Sequence, residues 1–304
     1  MNEFESYRGL LFSIAYRMLG SAADAEDLVQ DAYVRFASAD KDVVRDVKAF
    51  LVTILTRLAL DKLKSARAQR EEYVGNWVAE PVFTGHGADP FDTATRGELI
   101  QIALLTALER LTPQERAVLL LNEVLEYDHN EIAEMLDITP ASSRQLLHRA
   151  RERVAAEKQR YRPSREEQER LVTSFMAALQ SGSVDALRSV LTDDVVTRGD
   201  GGGKVPGAGM RPIVGFDHVA RLFFGLMKKW SANLTADMKD VNGSPAVVIY
   251  DGGEIFDVMA FDFDRDRIVE ISSILNPDKL AFAKRQLRSI GSGSDHALLQ
   301  RGAE

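Results

Sequence analysis

Four side chains that could bind a partner recur along one N-terminal stretch, at spacings that place them on one face of a helix. They are Asp24, Asp27, Gln30 and Asp31. Apolar residues of 28–36, including Tyr33, form the opposite stripe, which we expect to be buried. Three neighbouring carboxylates repel one another, and on an isolated helix the pattern is typical of a solvated surface. The segments that follow this helix favour a binding face instead.

Two basic segments follow on a chain whose net charge is -8. Residues 57–70 carry five Arg or Lys side chains against Asp61, and residues 144–162 carry seven against two glutamates. Basic patches of this size attract the phosphates of nucleic acid. On an acidic chain they indicate weak DNA binding alone and adequate binding beside a partner.

Residues 128–151 have the pattern of a helix-turn-helix. A short helix with Ile132 and Leu136 facing inward is followed by a tight turn, and Thr139 caps a second helix that starts at Pro140. We expect that second helix to expose Ser142, Ser143, Arg144, Gln145, His148 and Arg149. Arg and Gln donate to guanine and adenine edges, respectively, in the major groove. A plain αα-hairpin is the alternative, but the density of polar and basic groups favours DNA binding.

The surrounding periodicity divides the chain into five segments. We expect a helical domain at 1–71, in which Gly20 ends one helix and Ser21 caps the acidic one, and a linker at 72–92. A second helical domain follows at 93–162, then an α+β domain with a curved antiparallel sheet at 163–285, and a flexible tail at 286–304. The predicted fold class is therefore multidomain: two all-α domains, the second with the helix-turn-helix, followed by an α+β domain.

Composition excludes several functions. The chain has no cysteine, which rules out disulfides, thiolate metal sites and cysteine nucleophiles, and we expect no metal or cofactor. It has neither a signal-peptide pattern nor an apolar run long enough to span a membrane. We therefore expect a cytoplasmic protein without a membrane partner.

Residues 24–36, 50–64 and 127–151 together resemble regions two and four of the extracytoplasmic-function (ECF) sigma factors of bacterial RNA polymerase. The resemblance covers roughly the first 160 residues. It implies that the acidic helix binds the clamp helices of the polymerase's largest subunit, and that the helix-turn-helix reads the minus-thirty-five element of promoter DNA. For the minus-ten strand it implies four residues, Lys48, Arg57, Asp61 and Lys62. Two positions depart from the family pattern: Arg57 replaces a frequent Asn, and Phe50 replaces the usual Trp.

The last 140 residues resemble the cone-shaped SnoaL-like domain that is fused to one subgroup of these sigma factors. The subgroup's Asp-Gly-Gly-Gly-Lys loop is intact at 200–204, its Asn-Pro-Asp-Lys segment is intact at 276–279, and its linker motif matches more weakly at 76–81. The resemblance implies that this domain regulates the sigma factor in cis through the linker. The residues implied are Trp77, Pro81, Asp200, Lys204, Asn276, Asp278 and Lys279. We expect a compact free state that opens on polymerase.

Two alternatives to a sigma factor remain open from the residues. One is a one-component helix-turn-helix regulator whose C-terminal domain binds a small ligand. The other is a DNA-tethered isomerase or cyclase, since Asp257 shares strand parity with Met259 and Phe261 and could point into a pocket. His218 is better interpreted as a surface residue. We expect no catalysis, and interpret the C-terminal fold as a vestigial isomerase or cyclase, because a fold alone does not supply a reaction.

Overall fold

The computed structural model describes residues 3–40, 44–71, 73–84, 102–158, 163–209, 211–229, 233–290 and 297–299. The part of the linker predicted at 85–92 and the helix start predicted at 93 lie outside the described residues. The described chain forms two compact units. The helical unit holds residues 3–71 and 104–158, and the C-terminal unit holds 73–84, 102–103 and the residues from 163 onward.

The helical unit contains two groups of helices after a short 3-10 turn. The first group comprises α1 (Arg8–Leu19), α2 (Ala22–Ala37) and α3 (Val47–Glu71), and the second comprises α4 (Ile102–Leu108), α5 (Pro113–Glu123), α6 (His129–Leu136) and α7 (Pro140–Lys158). The first two residues of α4 belong to the C-terminal unit. Gly20 ends α1 at a φ of 67°, and the Ser21 hydroxyl caps α2 by accepting from the Asp24 N–H at 3.1 Å. Both signals were predicted from the sequence, and both are present.

The two groups of helices pack against each other, with α1 and α3 on α5, and α3 on α6. Arg116 of α5 is 2% exposed, and its Nη1 donates to the carbonyl oxygen of Met18 at 2.6 Å. Its Nε donates to the Leu108 carbonyl at 3.0 Å, and its guanidinium lies 2.7 Å from the Glu109 carboxylate. A buried guanidinium needs such partners because its desolvation is costly. Arg116 therefore joins the C-terminal end of α1 to the second group.

The C-terminal unit is built on a seven-stranded mixed sheet in the order β2-β1-β6-β5-β4-β3-β7. Its strands are β1 (Leu191–Asp200), β2 (Ile213–Val214), β3 (Leu234–Val241), β4 (Ser244–Asp251), β5 (Glu254–Asp264), β6 (Arg267–Ile274) and β7 (Ala297–Leu299). Its helices are α8 (Arg165–Ser181), α9 (Val184–Val190), α10 (Phe216–Lys228) and α11 (Pro277–Ile290). This helix-then-sheet architecture is the fold class predicted for the domain, except that β1 and β6 run parallel.

The two faces of the sheet carry separate cores. On one face Phe175 of α8 packs edge-on against Phe223 of α10 and Phe261 of β5, at ring-centroid distances of 5.3 and 5.4 Å. On the other face α11 and residues 73–84 cover the sheet, and the side chains that they bury there include Val78, Phe83, Leu280 and Ala283. The linker residues 73–84 are thus part of the core of the C-terminal unit.

Three details differ from the sequence prediction. Strand β1 was not predicted, because its segment mixes acidic residues with valines and pairs only with distant strands. The predicted tail begins too early: residues 286–290 complete α11, and β7 pairs with the edge strand β3 because backbone N–H and C=O groups there lack another partner. Tyr33 is exposed rather than part of the buried stripe, and its ring lies edge-on to Phe4. Within the described ranges, no helix has the length and apolarity needed to cross a bilayer.

Candidate functional site

The acidic face of α2 is open to solvent over most of its length. Asp27, Gln30 and Asp31 are exposed, and Val34 continues the same stripe at 64% exposure. Asp24 is half-buried, and its Oδ1 lies 2.7 Å from the Nζ of Lys62 on α3. Val34 is not among the predicted residues, although its i+7 spacing from Asp27 could have identified it. The face can bind a basic partner that also offers an apolar contact.

Helix α3 carries the four residues predicted to contact the minus-ten strand. Lys48 and Asp61 are exposed, Lys62 pairs with Asp24, and Asp61 lies 3.2 Å from Lys64. Arg57 points to the second group of helices: its Nε donates to the carbonyl oxygen of Met135 at 2.8 Å, and its Nη2 donates to that of Glu134 at 3.3 Å. Both carbonyls belong to the last turn of α6.

Helices α6 and α7 form the predicted helix-turn-helix. Asp128 caps α6, Asp137 ends it at a left-handed φ of 54°, and the Thr139 hydroxyl accepts from the Ser142 N–H at 3.1 Å. Of the residues predicted to face DNA, Arg144, Gln145, His148 and Arg149 are exposed and Ser142 is half-buried. These side chains can meet base edges and phosphates, as predicted for such a helix.

Ser143 is a correction to the predicted surface. Its side chain is fully buried, and its Oγ lies 2.9 Å from the Nδ1 of His129 on α6. The reason is helical spacing, since Ser143 shares the inward face of α7 with Leu147, Ala150 and Val154. Ser143 therefore holds α7 against α6 and is not part of the exposed surface of α7.

A buried carboxylate organises the C-terminal unit. The Asp200 side chain, at the end of β1, is 0% exposed. Its Oδ2 accepts from the Val78 backbone N–H at 2.8 Å and lies 2.6 Å from the Nζ of Lys279, and its Oδ1 accepts from the Tyr73 hydroxyl and the Gly202 N–H. Four donors around one carboxylate satisfy its desolvated charge. We call Asp200, Tyr73, Val78, Asn276 and Lys279 the Asp200 cluster.

The other members of the cluster bind one another as well. The Lys279 ammonium donates to the Val78 carbonyl at 2.5 Å and lies 4.2 Å from the centroid of the Trp77 ring, a cation–π distance. The Asn276 Nδ2 donates to the Tyr73 hydroxyl at 3.0 Å. Burial, together with the hydrogen bond to Asp200, raises the pKa of Tyr73, so its phenol stays protonated as a donor. Residues 73–78 are thus fixed by side chains of the C-terminal unit.

Glycines of the 201–204 loop allow this close approach. Gly202 has a φ of 56°, and a Cβ there would lie 2.2 Å from the Asn276 side-chain nitrogen. Gly203 has a φ of 71°, and a Cβ would meet Val74 at 3.1 Å. Beside them the Lys204 ammonium pairs with the Asp278 carboxylate at the surface. The loop therefore packs closely against the linker side chains of Tyr73 and Val74.

The linker is also bound at its far end, around buried Pro81. The Val82 N–H donates to the Asn242 Oδ1 at 3.1 Å, and the Thr84 N–H donates to the Asp240 carbonyl at 2.9 Å. The Phe83 N–H donates to the Gln286 Oε1 at 2.9 Å. Of the predicted regulatory residues, the structure brings together Trp77, Asp200, Asn276 and Lys279. Tyr73, Asn242 and Gln286 were not predicted, because none of them lies in one of the motifs at 76–81, 200–204 and 276–279.

The two residues considered for catalysis, Asp257 and His218, lie in different surroundings, one buried and one exposed. Asp257 is buried, and its Oδ1 has no hydrogen-bond partner among the described residues. Burial raises its pKa to about 7, although Ser273 and backbone groups donate to the carboxylate. His218 is exposed, with its Nδ1 3.1 Å from the Val214 carbonyl. In the described part of the chain, no three His, Asp or Glu side chains are grouped as metal ligands.

Comparison with known proteins covers both units. Residues 4–69 match the family model for sigma-70 region 2, and residues 101–154 match that for sigma-70 region 4. The ECF RNA polymerase sigma factor SigJ of Mycobacterium tuberculosis is 34% identical over 97% of this chain and 99% of its own length. SigI of the same organism is 30% identical over 91% of this chain and 93% of its own.

A solved structure extends the similarity to the fold. The crystal structure of M. tuberculosis SigJ superposes with a TM-score of 0.76 at 34% identity, covering 92% of this chain and 98% of that one. The similarity to SigJ includes the C-terminal unit as well as the two sigma regions. The chain therefore belongs to the ECF sigma factors of RNA polymerase, as an alternative sigma factor with a fused C-terminal SnoaL-like domain.

Proposed function

We propose that α2 docks on the clamp helices of the largest polymerase subunit through Asp24, Asp27, Gln30 and Asp31. Three of these side chains are exposed, and Val34 adds an apolar contact beside them. We assign the minus-ten strand to α3 and the minus-thirty-five element to the exposed residues of α7, with Ser143 removed from the set. Polymerase supplies the affinity that the acidic chain lacks for DNA.

The C-terminal domain, in this proposal, regulates promoter binding in cis by holding the linker. The observation that carries it is the Asp200 cluster, in which one buried carboxylate binds the Tyr73 hydroxyl, the Val78 N–H and the Lys279 ammonium. The hydrogen bonds of Val82, Phe83 and Thr84 fix the far end of the segment. Release of the linker requires that the hydrogen bonds of the Asp200 cluster and those of residues 82–84 break together.

Holding the linker limits the distance that the two DNA-binding groups can span, because it shortens the free chain between them. With residues 73–84 held, residues 85–101 remain to connect the two DNA-binding groups. Those 17 residues span ~56 Å fully extended and average ~23 Å as a flexible coil. One turn of DNA is already about 34 Å, and the promoter elements lie more than a turn apart. Release of residues 73–84 therefore extends the reach that simultaneous binding of both elements requires.

The remaining roles follow from the same assignment. The C-terminal domain acts without catalysis and keeps an isomerase-like or cyclase-like fold as a vestige. The exposed position of His218 supports this, because an acid–base pair needs both groups within reach of one substrate. The protein works in the cytoplasm, where core polymerase and promoter DNA are found.

Transcription in vitro tests the regulatory proposal. Sigma-free core polymerase is supplied with the full chain, with the Tyr73→Phe variant or with Asp200→Asn, on a promoter selected by the wild-type chain. Tyr73→Phe removes one donor and keeps the ring, so it serves as the mild variant. We expect both variants to raise the yield of promoter-specific transcript several-fold at limiting sigma factor. Asp266→Asn, at an exposed turn, is the matched control, and equal yields from all four proteins would contradict the proposal.

A further inference from the structure

The Arg57 guanidinium binds the C-terminal end of α6 in the manner of a helix cap. Its donors reach the carbonyls of Glu134 and Met135, which lie in the last turn, where helical carbonyls lack partners within the helix. The negative end of the helix dipole also favours a cation at this place. Arg57 thus satisfies two groups that would otherwise bind water.

The contact continues along α3 and α6. Asp46 caps α3, with its Oδ1 accepting from the Ala49 N–H at 3.0 Å. Asp46 also lies close enough to Tyr127, just before α6, to contribute with burial to its raised pKa. The start of α3 therefore approaches the start of α6, and Arg57 reaches the end of α6. All of these residues belong to the helical unit, so the contact requires no side chain from the Asp200 cluster.

We infer that Arg57 closes an autoinhibitory contact between the helix that reads the minus-ten strand and the helix-turn-helix. The contact occupies two of the three guanidinium nitrogens, Nε and Nη2, and holds the end of α6 against this face of α3. Full use of the Arg57 side chain on a promoter strand thus requires that α6 be released first. The inference rests on the proposed role of α3, but it adds a second restraint that is independent of the linker.

Spin labels can measure this contact without DNA. The chain has no cysteine, so Asp61→Cys and Glu134→Cys introduce the only two labelling sites. Both side chains are exposed, and Glu134 contributes its carbonyl, not its carboxylate, to the contact. Double electron–electron resonance on the full-length chain then gives the distance between α3 and α6. We expect a short distance in the free protein and a long one in the polymerase holoenzyme.

Three further variants separate the restraint from DNA binding. Arg57→Ala is expected to raise the long-distance population of the free chain about tenfold. Arg57→Lys should give a long-distance population between those of Arg57→Ala and of the wild-type chain. Lys48→Ala, from the same proposed DNA surface, is expected to weaken promoter opening and leave the distance unchanged. Asp200→Asn is expected to leave the short distance in place.

An unchanged distance in Arg57→Ala would overturn the inference. A long distance in Asp200→Asn would also overturn it, because the contact would then depend on the linker. The proposed function fails differently, through unchanged transcription by Asp200→Asn, so the two results are separable.

Discussion

The Nζ of Lys62 lies 2.7 Å from the Oδ1 of Asp24, which joins the face of α2 proposed for polymerase to the face of α3 proposed for DNA. Both side chains remain about two-fifths exposed, at 39% and 40%. A pair this exposed contributes about 0.2–1 kcal/mol to stability. The pair matters because Asp24 is proposed to bind polymerase and Lys62 to bind promoter DNA, so that each charge exchanges its present partner for a new one.

Lys62→Met and Asp24→Asn should therefore separate the two surfaces. We expect Asp24→Asn to weaken binding to core polymerase, because it removes a charge from the docking face. Lys62→Met should leave core affinity within twofold and lower promoter opening. Fluorescence anisotropy with labelled core measures the first quantity, and a permanganate footprint of the minus-ten strand measures the second. Equal losses of core affinity in both variants would contradict this separation.

Asp200→Asn should destabilise the C-terminal unit strongly. The substitution leaves the Lys279 ammonium buried without its carboxylate, a change that costs about 3–5 kcal/mol in other proteins. Adding Lys279→Met should recover part of the loss, because the unpaired charge is then removed. Urea denaturation followed by tryptophan fluorescence gives the free energies of unfolding. A double variant no more stable than Asp200→Asn would argue against a charge effect.

Gly202→Ala and Gly207→Ala form a matched pair. Both glycines have positive φ, 56° and 84°, which costs an alanine about 1–2 kcal/mol. Only at Gly202 would the new Cβ meet another group, the Asn276 side chain at 2.2 Å. We expect Gly202→Ala to destabilise the unit more and to speed proteolysis at residues 73–78. Similar proteolysis rates in both variants would show that the loop does not hold the linker.

Asp257→Asn should change the pH dependence of stability. The unfolded carboxyl titrates near pH 4, whereas burial raises the pKa of Asp257 to about 7. The folded state therefore holds more protons in this window, and stability falls as pH rises from about 4 to 7, by ~4 kcal/mol at most. Asp257→Asn should remove this fall and exceed the wild type at pH 8. Parallel stability–pH curves for the two proteins would exclude the effect.

Ser143→Ala and Arg144→Ala test the corrected surface of α7. Ser143→Ala should cost ~1 kcal/mol of stability through its lost contact with His129, and leave promoter affinity of the holoenzyme unchanged. Arg144→Ala should leave stability unchanged and reduce affinity for the minus-thirty-five element by about 1–3 kcal/mol. Competition binding with promoter duplexes and thermal denaturation distinguish the two. If Ser143→Ala instead lowered promoter affinity and left stability unchanged, Ser143 would lie at the DNA.

Local signals in the sequence predicted the local structure well. Gly20 and Ser21 each mark a helix boundary that the structure contains. The Asp200 and Asn276 motifs were identified through resemblance, but their partner Tyr73 was not, because it lies 127 residues from Asp200. Arg116 and Asn242 were missed for the same reason. Their roles depend on backbone groups brought close only by folding.

Asp240 binds two residues that lie far apart in sequence, Thr84 and Arg165. Its carbonyl accepts from the Thr84 N–H, where the linker leaves the sheet, and its carboxylate pairs with Arg165, where the chain returns at α8. In connectivity, the helix-turn-helix is thus an insertion within the C-terminal domain rather than a module preceding it. Cutting the chain at residue 162 would therefore not yield a simpler sigma factor. It would leave Val78, Val82 and Phe83 as exposed apolar surface on a linker that had lost its own fold.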